Sequence, residues 1–233
     1  MLNELVSTTR YINRYKYLQT AGSTLYKYNN KLIKETNTRN EIDILKKINH
    51  PKIINVLDSY QVNNKYNLVM NYYEKGDLYD NIYNNNIDID DKFIKDIIEP
   101  IEYLHSNNIV HLDIKLENYL LDNIDNYILI DFYGARKHEH DYYKQIETEK
   151  IIYTKNYASP EYIKGYYSKS SDIYSLGVLL YTSFTRNILD IENINRCIYL
   201  QRLPYRIEQL IKQLLKKNPY DRPTIYDIKQ LIN

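Results

Sequence analysis

The segment from Val110 to Leu121, VHLDIKLENYLL, sets charged and amide side chains between strongly apolar residues. Asp113 is followed by Asn118, and a second apolar run, YILI, leads directly into Asp131. Carboxylate and amide oxygens are the ligands that hard cations such as Mg²⁺ favour, usually together with substrate phosphates and water. Lys115 adds a positive charge suited to neutralising a transferring phosphoryl group. The order of these residues favours a phosphoryl-transfer site over the alternative that each one separately caps a turn.

The chain before Gly76 has the pattern of a small sheet with one helix. A hairpin is predicted from Leu25 to Lys34, with Asn29 and Asn30 at its turn. Apolar residues then recur at helical spacing from Asn40 to His50. Two further strands are predicted in the segments IINVLDSY and KYNLVMNYY.

After Gly76 the pattern becomes mostly helical, and the nearly all-apolar SSDIYSLGVLLYTSF predicts a central buried helix. Two amphipathic helices, RIEQLIKQLLKK and TIYDIKQLIN, are predicted near the C-terminus, the second capped by Thr224. We therefore expect an α+β fold in one domain, residues 1–233. A small, mostly β N-lobe would extend to about residue 70, a hinge would span about 71–76, and a larger α C-lobe would follow.

Composition excludes several classes of protein. The net charge of +1 gives no bulk attraction to nucleic acid or to an anionic membrane. A single cysteine excludes an internal disulfide framework, and no apolar run approaches the roughly 20 residues of a membrane span. We expect an intracellular protein, cytoplasmic or nuclear, without nucleic acid or membrane as a partner. The 28 tyrosines and absent tryptophan are interpreted as the bias of an AT-rich genome.

Seven segments resemble motifs of eukaryotic protein kinases, and they occur along the chain in the same order as in that family. HLDIKLEN resembles the catalytic loop H-R-D-x-K-x-x-N, and DFYGAR resembles the D-F-G motif. YTKNYASPEY, SDIYSLGVLLY and NPYDRPT resemble the end of the activation segment, the D-x-W-S-x-G helix and the terminal arginine motif. EIDILKKINHPKII and NLVMNYYEKGDL resemble the αC helix and the hinge. The resemblance runs from about Leu18 to the C-terminus, with a serine/threonine-type lysine at Lys115, and is similar to the calcium/calmodulin-dependent or Snf-like branch.

The resemblance implies transfer of the ATP γ-phosphate to a protein substrate, with ATP and Mg²⁺ as cofactors. It also allows an activating or target protein as a partner. Asp113 would accept or orient the substrate hydroxyl proton, and Lys115 would lie against the γ-phosphate. Asn118 and Asp131 would hold Mg²⁺. The nucleotide-binding residues that the resemblance implies are Lys34, Glu41, Gly22, Ser23, Tyr26, Leu32, Met70, Tyr72, Tyr73, Asp77 and Leu120.

The activation segment and the lobe interface are also implied by the resemblance. Thr154 would bond to the catalytic loop, and Glu161 would form a buried ion pair with Arg222. His111 and Phe132 would belong to an apolar spine that links the lobes. His111 would therefore serve packing and not acid–base chemistry.

The nucleotide site departs from the family pattern. Aligned on G-x-G-x-x-G, residues 19–24 carry no glycine at a matching position, and Gly22 falls between the matching positions. The small residues that the family places above adenine correspond to Tyr26 and Leu32, where overpacking typically costs about 1–3 kcal/mol. These departures predict weakened nucleotide binding.

Asp77 has two interpretations. It either contacts ribose or a basic substrate residue, or simply ends the hinge in a turn.

Two further departures concern the ion pair and the D-F-G motif. Lys34 and Glu41 are only seven residues apart, so their pairing is expected to be strained or made differently. Lys27 and Lys31 are the alternative lysines for this role. Tyr133 replaces the glycine of the D-F-G motif and predicts a stiffer backbone after Asp131.

The arginine that precedes the catalytic aspartate in the family is replaced by Leu112. That arginine normally binds a phosphate on the activation loop. Its loss predicts no strict requirement for phosphorylation at Thr148 or Thr154.

Two principal functions remain open from the sequence. An active serine/threonine protein kinase is favoured because every charged group of the phosphoryl-transfer machinery is present. The alternative is a pseudokinase, a protein-binding or regulatory module with weak or no ATP binding, supported by the glycine-poor loop, Leu32, Tyr26 and Tyr133. A small-molecule phosphotransferase fits less well, because Thr154 and the S-P-E segment belong to a platform for protein substrates.

Overall fold

The computed structural model describes residues 15–19, 23–85, 87–139, 143–146, 153–189 and 203–232. A five-stranded antiparallel sheet comes first, in the spatial order β1-β2-β3-β5-β4. Its strands are β1 (Tyr15–Gln19), β2 (Ser23–Tyr28), β3 (Lys31–Thr36), β4 (Val56–Val62) and β5 (Lys65–Asn71). Helix α1 (Asn40–Leu45) lies between β3 and β4 in the chain.

Asparagines form the tight turns of this sheet. Asn29, in the predicted turn between β2 and β3, has a φ of 52°, and Asn63 and Asn64, between β4 and β5, have φ values of 50° and 60°. Asparagine tolerates the left-handed region better than most residues because its short side chain bonds locally. The predicted hairpin is therefore confirmed, and its turn has a local cause.

Helix α1 is shorter than predicted. The N–H of Lys46 bonds to the carbonyl of Ile42, and the N–H of Lys47 bonds to that of Ile44 at 3.0 Å, which tightens the last turn and ends the helix. The chain then turns toward the second half of the molecule, where the N–H of Ile54 donates to the carbonyl of Leu129 at 2.9 Å. This pairing requires the helix to end before the apolar periodicity of the sequence does.

The rest of the described residues form mainly helices. The helices are α2 (Leu78–Asn84), α3 (Asp91–Ser106), α4 (Pro160–Ile163), α5 (Lys169–Thr185), α6 (Tyr205–Leu214) and α7 (Ile225–Ile232). Three antiparallel strand pairs accompany them: β6 (Ile109–Val110) with β9 (Arg136–Lys137), β7 (Tyr119–Leu121) with β8 (Tyr127–Leu129), and β10 (Lys144–Gln145) with β11 (Tyr166–Tyr167). The predicted α+β architecture, with a small sheet and a larger helical part, is confirmed.

Helix α5 is the centre of the helical part, because almost every side chain along it is buried. A reciprocal capping box of Ser168 and Ser171 fixes its start. Gly177 allows α6 to approach closely, since a β-carbon at this position would lie 2.8 Å from the β-carbon of Leu214. Within the ranges described above, no helix combines the length and apolar character needed to cross a bilayer.

Gly177→Ala is expected to destabilise the protein. Alanine favours a helix over glycine by roughly 0.8–1 kcal/mol, but overpacking against Leu214 costs about 1–3 kcal/mol. Thermal unfolding should show a net loss for Gly177→Ala and little change for the control Lys95→Ala at an exposed position of α3. A higher unfolding temperature for Gly177→Ala would show that α5 and α6 can move apart without a loss of packing energy.

Candidate active site

A cavity of about 600 Å³ lies between the sheet and the helical part. This volume is within the range of small-molecule sites, about 300–1,000 Å³. Leu25 and Leu32 line it from the sheet, and Leu120 and Ile130 line it from the helical part. The residues predicted from the sequence that line this cavity are Ser23, Leu32, Lys34, Glu41, Met70, Asp113, Lys115, Leu120, Asp131 and Thr154.

The Lys34 ammonium joins two carboxylates at the centre of the cavity. Its Nζ lies 2.9 Å from Glu41 Oε1 and 2.6 Å from Asp131 Oδ1. Burial disfavours the charged amine, yet the two carboxylates together raise the pKa of Lys34 above its ordinary value. Burial also disfavours the charged form of Asp131. The attraction of the nearby Lys34 ammonium is larger than this effect, so the pKa of Asp131 is lowered. The predicted pair therefore forms directly, while the alternative Lys27 lies over the ring of Tyr72.

The short connection before α1 is built by local hydrogen bonds. The N–H of Thr38 donates to Thr36 Oγ1 at 3.3 Å, and the N–H of Asn40 donates to Thr38 Oγ1 at 3.2 Å. The Asn40 amide then donates to the carbonyl of Ala135 at 2.8 Å. These contacts place Glu41 in the first turn of α1, so seven residues suffice to bring it back to Lys34.

The Asp113 carboxylate accepts hydrogen bonds from three side chains. Thr154 Oγ1 donates to Oδ1 at 2.7 Å, and Asn118 Nδ2 donates to Oδ2 at 2.8 Å. Lys115 Nζ lies 2.8 Å from Oδ2 and also donates to Thr154 Oγ1 at 2.8 Å. The sequence separates Thr154 from the other three by about 40 residues, and the fold joins all four in one network.

His111 is held as a neutral packing residue. Burial lowers its pKa, its Nε2 donates to the carbonyl of Ile130 at 3.0 Å, and its Nδ1 accepts from the N–H of Asp113 at 3.3 Å. Its ring meets that of Phe132 edge-on, with the centroids 4.8 Å apart. Both nitrogens are occupied by the backbone, so acid–base chemistry at His111 is not supported.

Asn118 and Asp131 offer the oxygens that a hard cation favours. The Asn118 Nδ2 donates to both the carbonyl and the carboxylate of Asp113, at 2.7 and 2.8 Å, so its amide oxygen faces away from Asp113. Lys34 contacts Oδ1 of Asp131, and the side chain of Asp131 is 38% exposed. This donor set fits a divalent cation whose other ligands are phosphate and water.

The strand register at the cavity differs by one residue from the prediction. Tyr26 packs with Tyr28 and Tyr60 on the other face of the sheet, over Ile33 and Val69. The expectation that Tyr26 lines the nucleotide site is therefore wrong. Leu25, which is paired with Lys34 across the two strands, lines the cavity instead. Because successive side chains of a strand point to opposite faces, a slip of one residue exchanges them.

The hinge residues are placed differently from one another. The N–H of Tyr72 donates to the carbonyl of Asn30 at 2.9 Å, so this N–H is already hydrogen-bonded to the turn between β2 and β3. Tyr73 packs against the main core. Asp77 caps α2 by accepting from the N–H of Asp80 at 2.9 Å, in agreement with the turn alternative, and it does not line the cavity. The predicted phosphate residue Gly22 lies outside the described residues.

Glu161 and Arg222 form a two-pronged ion pair. Arg222 Nη1 and Nη2 lie 2.7 and 2.9 Å from the two oxygens of Glu161. The guanidinium also donates to the carbonyls of Lys216, Lys217 and Ser170. Burial opposes ionisation of Glu161, but Arg222 lowers its pKa. The pair joins α4 to the segment between α6 and α7.

Residues 7–232 match the sequence profile of the protein kinase domain. The chain belongs to the protein kinase family. It is similar to the NUAK family SNF1-like kinase 1 of Mus musculus, with 34% identity over 204 residues, 82% of this chain and 30% of the relative. Calcium-dependent protein kinase 4 of Plasmodium falciparum is 37% identical over 148 residues, 60% of this chain and 27% of the relative. These names confirm the predicted family and branch, and the chain spans about a third or less of each relative's length.

Asp172, the aspartate of the segment that resembles D-x-W-S-x-G, organises the catalytic loop of this kinase domain, a role that the sequence analysis did not assign. Its Oδ2 accepts from the N–H of His111 at 2.9 Å and from His105 Nε2 at 2.9 Å. Its Oδ1 accepts from the N–H of Leu112 at 2.8 Å. Leu112 has a φ of 66°, a strained conformation for leucine. The available signals were the aspartate of that motif and the presence of an acidic residue inside an otherwise apolar helix.

The leucine at the arginine position lies in an apolar cluster. Leu112 is 6% exposed and clusters with Val110, Ala158, Tyr162 and Tyr167. Ile146, the residue after β10, packs against the same cluster. The activation segment of this kinase domain is thus anchored to the catalytic loop by apolar contact, at the position where other members place a charge.

Asp172→Asn is expected to loosen the catalytic loop. An amide keeps one acceptor oxygen, so one of the two backbone N–H groups loses its partner, at a cost of about 1–3 kcal/mol. Hydrogen exchange at residues 111–113 should accelerate and thermal unfolding should occur at a lower temperature. The control Ser183→Ala, in the same buried helix, should leave exchange in the loop unchanged. Unchanged exchange in Asp172→Asn would contradict this role.

Leu112→Arg is expected to destabilise the protein by about 3–5 kcal/mol, because it buries an uncompensated charge. Leu112→Met conserves volume and should cost less than about 1.5 kcal/mol. Thermal unfolding measures both values. Equal stability of the two variants would show that the cluster tolerates charge.

Proposed function

We propose that this chain transfers the γ-phosphate of ATP to serine or threonine hydroxyls of protein substrates. The observation that carries the proposal is the contact of Lys34 Nζ with both Glu41 and Asp131, at 2.9 and 2.6 Å. These groups come from β3, α1 and the segment after β8. Their meeting supports an assembled site that needs no second chain to complete it.

The Asp113 network supports a specific role for each residue of the catalytic loop. The carboxylate is oriented by Asn118, Lys115 and Thr154, so it is positioned to accept a hydroxyl proton from the substrate. The substrate oxygen then forms a bond to the γ-phosphorus as the bond from that phosphorus to the β–γ bridging oxygen breaks. ADP leaves with that oxygen and the proton passes to Asp113. Lys115 balances charge on the transferring group.

Asn118 and Asp131 would hold Mg²⁺, which neutralises charge on the nucleotide phosphates when it is bound. Lys34, fixed by Glu41, would contact the phosphates from the sheet. The backbone of Asn71, which lines the cavity beside Met70, would face the adenine. Ser23 lines the cavity at the end of the glycine-poor loop and offers a hydroxyl to phosphate.

The size of the cavity supports nucleotide binding over the pseudokinase alternative. Leu32 lines the cavity without filling it, since about 600 Å³ remains. Leu25, which lies where Tyr26 was expected, is also smaller than a tyrosine. Leu32 and Tyr26, the two residues that predicted a closed nucleotide site, therefore reduce the volume of the cavity less than expected.

ATP and Mg²⁺ together are expected to raise the unfolding temperature, with a stabilisation of about 2.7 kcal/mol at 100 times the Kd. Asp131→Ala should abolish the part that depends on Mg²⁺. Transfer of labelled phosphate to serine peptides should be lost in Asp113→Asn, which keeps the nucleotide-dependent shift. The matched control Asp125→Asn, at an exposed turn, should behave like the unaltered chain. A nucleotide shift without any transfer would favour the pseudokinase alternative.

A further inference from the structure

The cavity is lined by more than the phosphoryl-transfer residues. Beside Asp113 and Thr154, its lining includes Arg136, Tyr153 and Tyr162, together with Leu112 and Ile146. Apart from the guanidinium of Arg136, the side chains of this second group carry no formal charge. A substrate whose hydroxyl reaches Asp113 would place its neighbouring residues in this part of the cavity.

Arg136 is a partly buried cation without a partner in the described part of the chain. Its Nε is buried and makes no hydrogen bond, and no carboxylate lies within ion-pair distance there. By contrast, Lys34, Lys52 and Arg222 each contact at least one carboxylate. A partly buried charge without a partner is costly, and guanidinium groups bind carboxylates and phosphates by two parallel hydrogen bonds.

Tyr162 brings a second polar group to the same place. Burial raises its pKa to about 12, while the neighbouring Arg136 acts in the opposite direction. Tyr162 also belongs to the apolar cluster around Leu112. The Arg136 guanidinium is therefore surrounded by aromatic and aliphatic groups, where an ion pair is stronger than in water.

We propose that Arg136 binds an oxyanion of the protein substrate, a carboxylate or a phosphate on a residue close to the phosphoacceptor. The proposal rests on the proposed function, because it assigns a specificity determinant to the same reaction. Two observations favour the substrate over the activation segment as the source. The segment is already anchored by Ile146, Tyr162 and the pairing of β10 with β11, and Arg136 lines the same cavity as Asp113.

The test uses serine peptides with aspartate, phosphoserine or alanine at each position around the acceptor. At one or two positions, aspartate or phosphoserine should raise kcat/KM about tenfold or more over alanine, as expected for a hydrogen-bonded charge pair. Arg136→Gln should abolish this preference and leave the alanine peptides unchanged. Arg136→Lys, which keeps the charge without the two-pronged geometry, should retain part of it.

Lys137→Gln provides the matched control, because Lys137 is the exposed neighbour of Arg136 on β9 and does not line the cavity. It should keep the full preference. Phosphatase-treated protein and Thr148→Ala should also keep it. If Arg136→Gln lowers activity on every peptide, alanine peptides included, and phosphatase treatment or Thr148→Ala does the same, the oxyanion belongs to the activation segment and the proposal is overturned.

The remaining outcomes separate the two proposals. Equal kcat/KM for acidic, phosphorylated and alanine peptides, or a preference that survives Arg136→Gln, overturns the role of Arg136 and leaves the proposed function standing. Absence of phosphate transfer to every peptide overturns the proposed function itself. Thermal unfolding of Arg136→Gln is expected at a temperature no lower than that of Lys137→Gln, because the substitution removes a partly buried charge without a partner, and this result excludes a folding defect as the cause.

Discussion

The Lys34 ammonium, placed between the carboxylates of Glu41 and Asp131, is the interaction on which the site depends. It joins β3, α1 and the segment after β8, and the N–H of Phe132 adds a hydrogen bond to Glu41 at 3.2 Å. Removing one partner of a buried ion pair typically costs about 3–5 kcal/mol, because the other charge stays buried. The orientation of the small sheet on the helical part is therefore coupled to the same charges that would bind nucleotide and metal.

Backbone strain surrounds this interaction on both sides of the cavity. Leu112 and Asp131 have φ values of 66° and 63°, which for residues other than glycine cost about 1–3 kcal/mol each. Hydrogen bonds to a charged group contribute about 1.5–3 kcal/mol each, so the two that Asp172 accepts from His111 and Leu112 are enough to offset the strain at Leu112. At Asp131, the contact with Lys34 has the corresponding role. The buried α5 helix is thus a support for catalytic-loop geometry as well as part of the core.

Much of the fold could be predicted from local patterns. The hairpin at Asn29 follows from strand-like flanks and a residue that tolerates positive φ, and the capping of α7 by Thr224 follows from its hydroxyl, which accepts from the N–H of Asp227 at 3.2 Å. The loop with Asp113 and Asn118 was recognisable because its residue types and spacing are set by chemistry that one short segment has to perform. Such features depend on neighbours in the chain, so the sequence contains them directly.

The sequence by itself determined the family, the order of elements and the charged residues of the site. The tertiary structure decided which face of β2 meets the cavity, since a shift of one residue in register exchanges Leu25 for Tyr26. It also decided that Asp172 holds the catalytic loop, that Leu112 lies in an apolar cluster, and that Arg136 stays without a carboxylate in the described chain. Each depends on contacts between residues far apart in the sequence, and local propensity carries no information about which distant groups burial will bring together.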